Sequence, residues 1–333
     1  MIRDDYDSLV ESIFRRFPSV QTSTFGDAYK PGLEHIEAFC ALLGEPQKSF
    51  RTIHVAGTNG KGSVANMLAS VLSASGFKTG LYTSPHILDF RERMRMAGPD
   101  SVSSLIPEEY VYDFLTKWSD TFDRLELSFF EITTGLAFKW FADKEVDVAV
   151  IEVGLGGRLD STNVITPDLS VVTSIALDHC ALLGDTLEAI AGEKAGIFKK
   201  GVPALVGEYV PRTRPVFEAK AAEVGCPLTF AEDVEPTLWG RRDEILRNMD
   251  LRGKYQWKNL RTALAAIDIL RNMPGYSGLA DSQAVVTAIV RTASRMGFHG
   301  RWERLSLQPF IIADIGHNPA HRWLSQQEQI YQQ

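Results

Sequence analysis

Cysteine is scarce. Cys40, Cys180 and Cys226 are the only three in 333 residues, far apart and in no CxxC spacing. That pattern argues against a disulfide framework or a zinc site and points to a reducing compartment. Long apolar runs are missing as well, none approaching the ~20 residues of a membrane span. The opening stretch "MIRDDYDSLVESIFRRF" reads as an amphipathic helix with acidic residues early, without the apolar centre of a signal peptide. Positive charge is not in excess: 35 Lys and Arg against 42 Asp and Glu leave a net charge of -7. This argues against a general nucleic-acid or membrane-surface binder, though not against a local cationic pocket. No internal repeat is visible. The expectation is a soluble, cytoplasmic monomer whose partners are small molecules, with no nucleic acid and no membrane.

What is present is an ordinary globular composition, 44% hydrophobic and 23% charged, in a chain long enough for one large domain and a second piece. The first fifty residues read as helices around a polar, Gly/Pro-punctuated loop. From Arg51 onward, short β-branched runs alternate with helical periodicity. "RTIHVAG", "TGLYTS", "VDVAVIEVG" and "LSVVTSIA" are continuously apolar, as expected of parallel strands buried on both faces. Between the first two, Val64, Met67, Leu68, Val71 and Leu72 recur at helical spacing before a stop at Gly76. Strand-helix-strand repetition implies an α/β fold, a doubly wound, mostly parallel sheet in a three-layer domain. Residues 202–257 are less regular, with room for a few more strands. Helices are expected at "NLRTALAAIDILRNM" and "SQAVVTAIVRTASRM", a hinge at "GFHGR", and then two strands, "WERLSLQ" and "FIIADIG".

"HVAGTNGKGS" sets Gly57, Gly60 and Gly62 around Lys61 directly after a strand. Backbone amides of such a turn, at a helix N-terminus, cradle a polyphosphate, and the lysine adds a mobile cation. The match to GxxxxGK[ST] is imperfect, since position 55 is Val and Ser63 comes one residue late. The plain alternative is a merely glycine-rich turn. Ligands of open α/β sheets bind beyond the carboxyl ends of the strands. There the other strands offer Glu152, Thr83, Ser84, Asp178 and His179. A carboxylate, a hydroxyl and an imidazole beside polyphosphate suit Mg²⁺, which takes few protein ligands. A lone histidine at a strand end is, by itself, more often structural. "GLGGRLDSTN" lacks the GxGxxG spacing, which argues against a nicotinamide site.

In order along the chain, "HVAGTNGKGS", "LYTSPH", "SFFE", "VIEVGLGGRLDSTN", "SIALDH", "GEKAGIFK" and "DIGHNP" resemble the folylpolyglutamate synthase/dihydrofolate synthase family, which belongs with the Mur-type ligases. The resemblance covers roughly residues 30–320. It implies ATP-dependent joining of L-glutamate to dihydropteroate or a reduced folate through an acyl phosphate, with ATP and Mg²⁺ as cofactors. It implies that Gly57, Thr58, Asn59, Gly60, Lys61, Gly62 and Ser63 hold ATP, together with Asn259, Arg301, Asp314 and His317 from the linker and second domain. Ser84, Glu152 and His179 match magnesium ligands. Lys194 matches a lysine that is carbamylated in the family and then supports a second magnesium, although its own surroundings in sequence read as a surface helix. Lys61, Lys194 and His179 are thus the implied catalytic residues. Phe130 and Glu131 fall on the pteridine side, with a core reading equally open for Phe130, and residues 22–31 resemble a mobile loop near the pterin pocket.

Two departures stand out. Gly316 replaces the usual alanine before "HNP", and the sequence ends at Gln333, where the family continues into a Rossmann-like C-terminal domain. The expected organisation is a P-loop ATP-binding domain over 1–296, followed by a hinge and an incomplete start of the C-terminal domain over 297–333. A fragment or truncated product of this kind has a rival reading, a nucleotide-binding remnant with little or no ligase activity. A P-loop kinase fits the glycine loop but not "GLGGRLDSTN" with "DIGHNP".

Overall fold

Each of the four apolar runs becomes a strand, and all four lie together at the middle of one sheet. The structure, a computed structural model, describes residues 3–17, 32–99 and 101–315. The strands are β1 (Arg51–Ala56), β2 (Thr79–Tyr82), β3 (Met94–Ala97), β4 (Ser104–Leu105), β5 (Val148–Glu152), β6 (Leu169–Val172), β7 (Ala204–Val206) and β8 (Leu228–Phe230). They lie in the order β4-β3-β2-β5-β1-β6-β7-β8. From β2 to β8 every pairing is parallel, with Ile53 opposite both Val150 and Leu169. β3 and β4 add an antiparallel margin. Alternation along β5 explains its unbroken apolar run: Val148 and Val150 enter one core, Ala149 and Ile151 the other. Each buried Val or Ile of this kind contributes about 1.5–3 kcal/mol relative to exposure.

The helices are α1 (Arg3–Arg16), α2 (Glu34–Leu42), α3 (Lys61–Ala74), α4 (Glu108–Arg124), α5 (Phe129–Asp143), α6 (Cys180–Leu183), α7 (Leu187–Ala195), α8 (Arg214–Val224), α9 (Arg242–Asn248), α10 (Gln256–Arg271), α11 (Ser282–Val290) and α12 (Thr292–Met296). One core packs α3, α10 and α11 on the sheet. A second, rich in aromatic rings, joins α1, α2, α4 and α5 to its other face. A third lies under α7 and α8. The helix after the glycine loop is more central than its periodicity suggests, for every residue from Gly62 to Ser73 is buried. Ala65, Ala69, Ser70 and Ser73 supply the small faces that let neighbouring helices approach, and the Ser70 hydroxyl donates to the Ala288 carbonyl at 2.8 Å.

Residues 202–257 hold β7 and β8 but also α8 and α9. The helix expected over 282–296 breaks at Arg291 (φ -104, ψ 24) into α11 and α12. After it come three residues in left-handed backbone, Gly297 (φ 59), Gly300 (φ 69) and Trp302 (φ 51), where the sequence suggested a hinge. β9 (Glu303–Leu307) and β10 (Phe310–Ala313) then pair antiparallel in a sheet of their own. The loop of residues 22–31, the "HNP" stretch with His317, and the Gln-rich tail lie outside the described residues. No described helix is long and apolar enough to cross a membrane.

Candidate functional site

The glycine loop is built by the close approach of two strand ends. A Cβ on Gly57 (φ +146) would fall 2.0 Å from Thr173 Oγ1, so nothing larger lets β1 and β6 end side by side. The loop is then pinned to the segment after β6. Thr58 N donates to the Ser174 carbonyl at 2.8 Å and Asn59 N to Ser174 Oγ at 3.0 Å, while Thr173 Oγ1 donates to the Asn59 carbonyl at 2.7 Å. Gly60 caps α3 at φ 86, and a Cβ there would meet Asn259 Oδ1 at 2.2 Å. Lys61 opens α3 and folds back over the loop, its Nζ donating to the Gly57 and Thr58 carbonyls at 3.0 and 3.2 Å. Ser63 is buried and accepts from Gln256 Nε2 at 3.4 Å. A helix N-terminus, a lysine and a rigid amide-bearing turn thus share one place, which is an anion-binding arrangement.

Glu152 ends β5 beside this loop, buried at 3% exposure. Burial pushes its carboxyl above the usual range, opposed by the cations of Lys61 and Arg301, by the Ser84 amide 3.3 Å away, and by Arg93. Ser84 therefore stands at Glu152, as their positions at neighbouring strand ends suggest. His179 follows Asp178 in left-handed backbone (φ 49), its Nε2 3.8 Å from the Asp178 carboxylate. Among the described residues, no three His, Cys, Asp or Glu side chains gather into a ready metal cage.

Lys194 is not on the surface. It ends α7 at 5% exposure, and burial, with Lys61 nearby, pushes its amine down to about 7 against the pull of Asp178, Asp160 and Glu193. The loop "GLGGRLDSTN" explains the placement. A Cβ on Gly157 would lie 2.7 Å from the Glu193 carbonyl and 3.0 Å from Lys194 Cα, so this glycine lets the loop press on α7. Asn163 Nδ2 ties the Arg158 and Gly196 carbonyls together at 2.9 and 3.1 Å. Asp160 is buried at 4% exposure and accepts the Leu155 and Thr162 amides at 2.8 and 3.0 Å.

From the far end of the chain, Arg301 reaches this site. Its Nη2 lies 3.5 Å from where a Gly62 Cβ would be, and its guanidinium stands 5.1 Å from the Phe298 ring centre. Asn259 donates to Gln256 Oε1 at 2.8 Å while facing Gly60. Asp314 Oδ2 accepts the Tyr255 hydroxyl at 3.1 Å and the Trp302 amide at 3.0 Å. Phe130 packs its ring on Gly154, where a Cβ would be only 2.5 Å away, and stands 5.9 Å from the Tyr82 ring. Glu131 is engaged locally: its carboxylate accepts the Ser128 amide at 2.7 Å in a capping box that starts α5. The S-x-x-E spacing in "SFFE" carries that signal in the sequence. Thr173, Ser174 and Gln256, which hold the loop in shape, are ordinary polar residues there, and only contact in space gives them a role.

No protein-family model matches the chain. It is 40% identical over 296 residues to the folylpolyglutamate synthase of Lacticaseibacillus casei, covering 83% of this chain and 67% of that protein. It is 35% identical over 309 residues to the dihydrofolate synthase/folylpolyglutamate synthase of Bacillus subtilis, covering 87% and 70%. The chain spans about two thirds of the length of these relatives. Among solved structures, an FPGS–AMPPCP–folate complex superposes with a TM-score of 0.79 at 33% identity, covering 98% of this chain and 81% of that one. Escherichia coli FolC with DHPP and ADP gives 0.77 at 30% identity, covering 98% and 74%.

Proposed function

Because the chain belongs to the folylpolyglutamate synthase/dihydrofolate synthase family, we propose that it is an ADP-forming ligase that joins L-glutamate to the carboxylate of dihydropteroate or a reduced folate. ATP gives its γ-phosphoryl group to that carboxylate. The glutamate amine then attacks the acyl carbon, an amide C–N bond forms, and phosphate leaves with the C–O bond as the amine sheds its proton. Relatives solved with AMPPCP and folate, and with DHPP and ADP, support the substrate classes. The observation that carries the reading is the convergence at the glycine loop: Lys61 folds back over it, Arg301 from beyond the hinge places its Nη2 3.5 Å from where a Gly62 Cβ would be, and the buried Glu152 carboxylate at the end of β5 accepts the Ser84 amide at 3.3 Å.

Transfer of a phosphoryl group needs positioning and charge neutralisation more than covalent help. Lys61 and the amides of residues 57–63 would hold the β- and γ-phosphates, Asn259 would close the loop from α10, and Arg301 would add a second cation. Glu152, buried beside cations and in contact with Ser84, suits a hard divalent ion, and Ser84, Glu152 and His179 would hold Mg²⁺. Such an ion supplies charge neutralisation on the triphosphate. Lys194, with its amine held down to about 7, is suited to add CO₂, which a cationic lysine cannot do. Phe130 and Glu131 lie on the side proposed for the pteridine, with Phe130 offering the ring face and Glu131 shaping the start of α5. The proposed domain division, 1–296 and 297–333, places the sheet and the glycine loop in the first part and Arg301 and Asp314 in the second. We read the protein as a cytoplasmic monomer.

The test is ADP release with each pterin, with and without glutamate. Glutamate-dependent ADP release that Lys61→Ala abolishes, with little change in thermal stability, is the expected result. Near wild-type turnover in Lys61→Ala would overturn the loop assignment. ATP binding without glutamate-dependent turnover would favour the nucleotide-binding remnant instead.

A further inference from the structure

Arg301 owes its direction to an unusual stretch of backbone. It sits between two left-handed residues, Gly300 (φ 69) and Trp302 (φ 51). Glycine takes that conformation freely, whereas a tryptophan, 6% exposed here, meets its own Cβ against the carbonyl. Something must hold it. The Trp302 amide donates to Asp314 Oδ2 at 3.0 Å, and the same oxygen accepts the Tyr255 hydroxyl at 3.1 Å. On the other side, the Gly300 carbonyl accepts the Ile315 amide at 3.2 Å, and the Gly300 amide donates to Glu303 Oε2 at 2.8 Å. The turn is therefore fixed by Glu303 at the start of β9 and by Asp314 and Ile315 just after β10.

Tyr255 is also the residue that precedes α10, whose first turn carries Gln256 and Asn259 against the glycine loop. One carboxylate oxygen thus joins the helix that lines the loop to the hinge that carries Arg301. We propose that Tyr255, Asp314 and Trp302 form a latch that aims the Arg301 guanidinium at the phosphate loop. They are positioning residues that act on the site through Arg301. Without the Tyr255 hydroxyl, Asp314 loses this tie to the residue that precedes α10. The Asp314–Trp302 pair is then held less firmly against the helix that lines the loop, and Arg301 shifts off its line to Gly62. The latch rests on the nucleotide reading given above, and it adds a role that Asp314 fulfils from the backbone side.

The test is calorimetric binding of AMPPCP to the whole chain, to Tyr255→Phe, to Arg301→Ala and to the double variant. Phenylalanine keeps the ring and its packing, so only the hydroxyl is lost. Tyr255→Phe should weaken binding about tenfold, within the range of coupled neighbouring residues, and by under about twofold once Arg301 is already alanine. An equal loss in both backgrounds, or no loss in either, overturns the latch while leaving the nucleotide site standing. No binding by the unaltered chain would overturn the nucleotide site and the latch with it.

Discussion

His54 makes the strand beneath the glycine loop sensitive to acid. It lies on β1 with no exposed surface, and its Nε2 is 2.8 Å from Thr162 Oγ1. The Thr162 hydroxyl is itself the donor to the Asp160 carboxylate, so the ring must donate to Thr162, which places its proton on Nε2. Nδ1 is buried and has no hydrogen-bond partner among the described residues. A second proton there would have no acceptor, and burial, with Lys199 adding to it, pushes the imidazole down to about 3. Because the folded ring titrates below the unfolded one, unfolded chains take up the proton first as the pH falls. The stability present above pH ~6.5 therefore drains away between there and pH ~3, at about 1.4 kcal/mol per unit. From pH 7 to pH 5 this one group removes about 2 kcal/mol. His54→Gln retains a donor for Thr162 and does not titrate. Urea unfolding at pH 7, 6 and 5 should show the wild type losing about 2 kcal/mol more than His54→Gln over that interval. Parallel pH dependences would refute the reasoning, since a histidine that can accept the proton in place gives no differential slope.

Gly60→Ala forces a Cβ to within 2.2 Å of Asn259 Oδ1 at a φ of +86. Strain of about 1–2 kcal/mol should leave the protein folded yet weaken AMPPCP binding about tenfold or more, and wild-type affinity by calorimetry would show that the loop does not approach the nucleotide. Glu152→Gln keeps the shape and removes the charge, so the magnesium concentration needed for half-maximal ADP release should rise. His179→Ala should act in the same direction and non-additively, as expected of residues sharing one ion. Additive losses with an unchanged magnesium requirement would count against a shared site.

The centre of the fold was legible because its strands are buried on both faces, and a run such as "VDVAVIEVG" has no solvent side to interrupt it. The margins were not. β3 reads "MRMA", with Met94 and Arg95 both buried and Met96 only partly so, and an antiparallel pair is thus hidden behind a charged residue. The helix break at Arg291 leaves no mark in the sequence, because "SQAVVTAIVRTASRM" keeps helical periodicity across it, with neither Gly nor Pro at the change. What bends it there is tertiary: the Asp250 carboxylate captures the Ala293 and Ser294 amides at 2.8 Å each and so starts a second helix.

The site divides along the same line. Glycine positions could be read because part of their requirement is local: a positive φ, +146 at Gly57 and +86 at Gly60, is a property of the backbone itself. Lys194 could not, because nothing in "GEKAGIF" shows that another loop lies over it. Its burial is decided from across the fold, by Gly157 admitting the "GLGGRLDSTN" turn onto α7 and by Asn163 tying that turn to the Gly196 carbonyl. The two glycine-rich stretches thus do different work. The first lets the ends of β1 and β6 and the Asn259 side chain close around a tight turn at the start of α3, and the second lets a loop press on α7, drying Lys194 and pushing its amine down to about 7. A glycine-rich motif alone does not say which of these it is for. The distinction lies in what a Cβ would strike: at Gly157 it is the backbone at Glu193 and Lys194, while at Gly60 it is the Asn259 side chain at the rim of the phosphate loop.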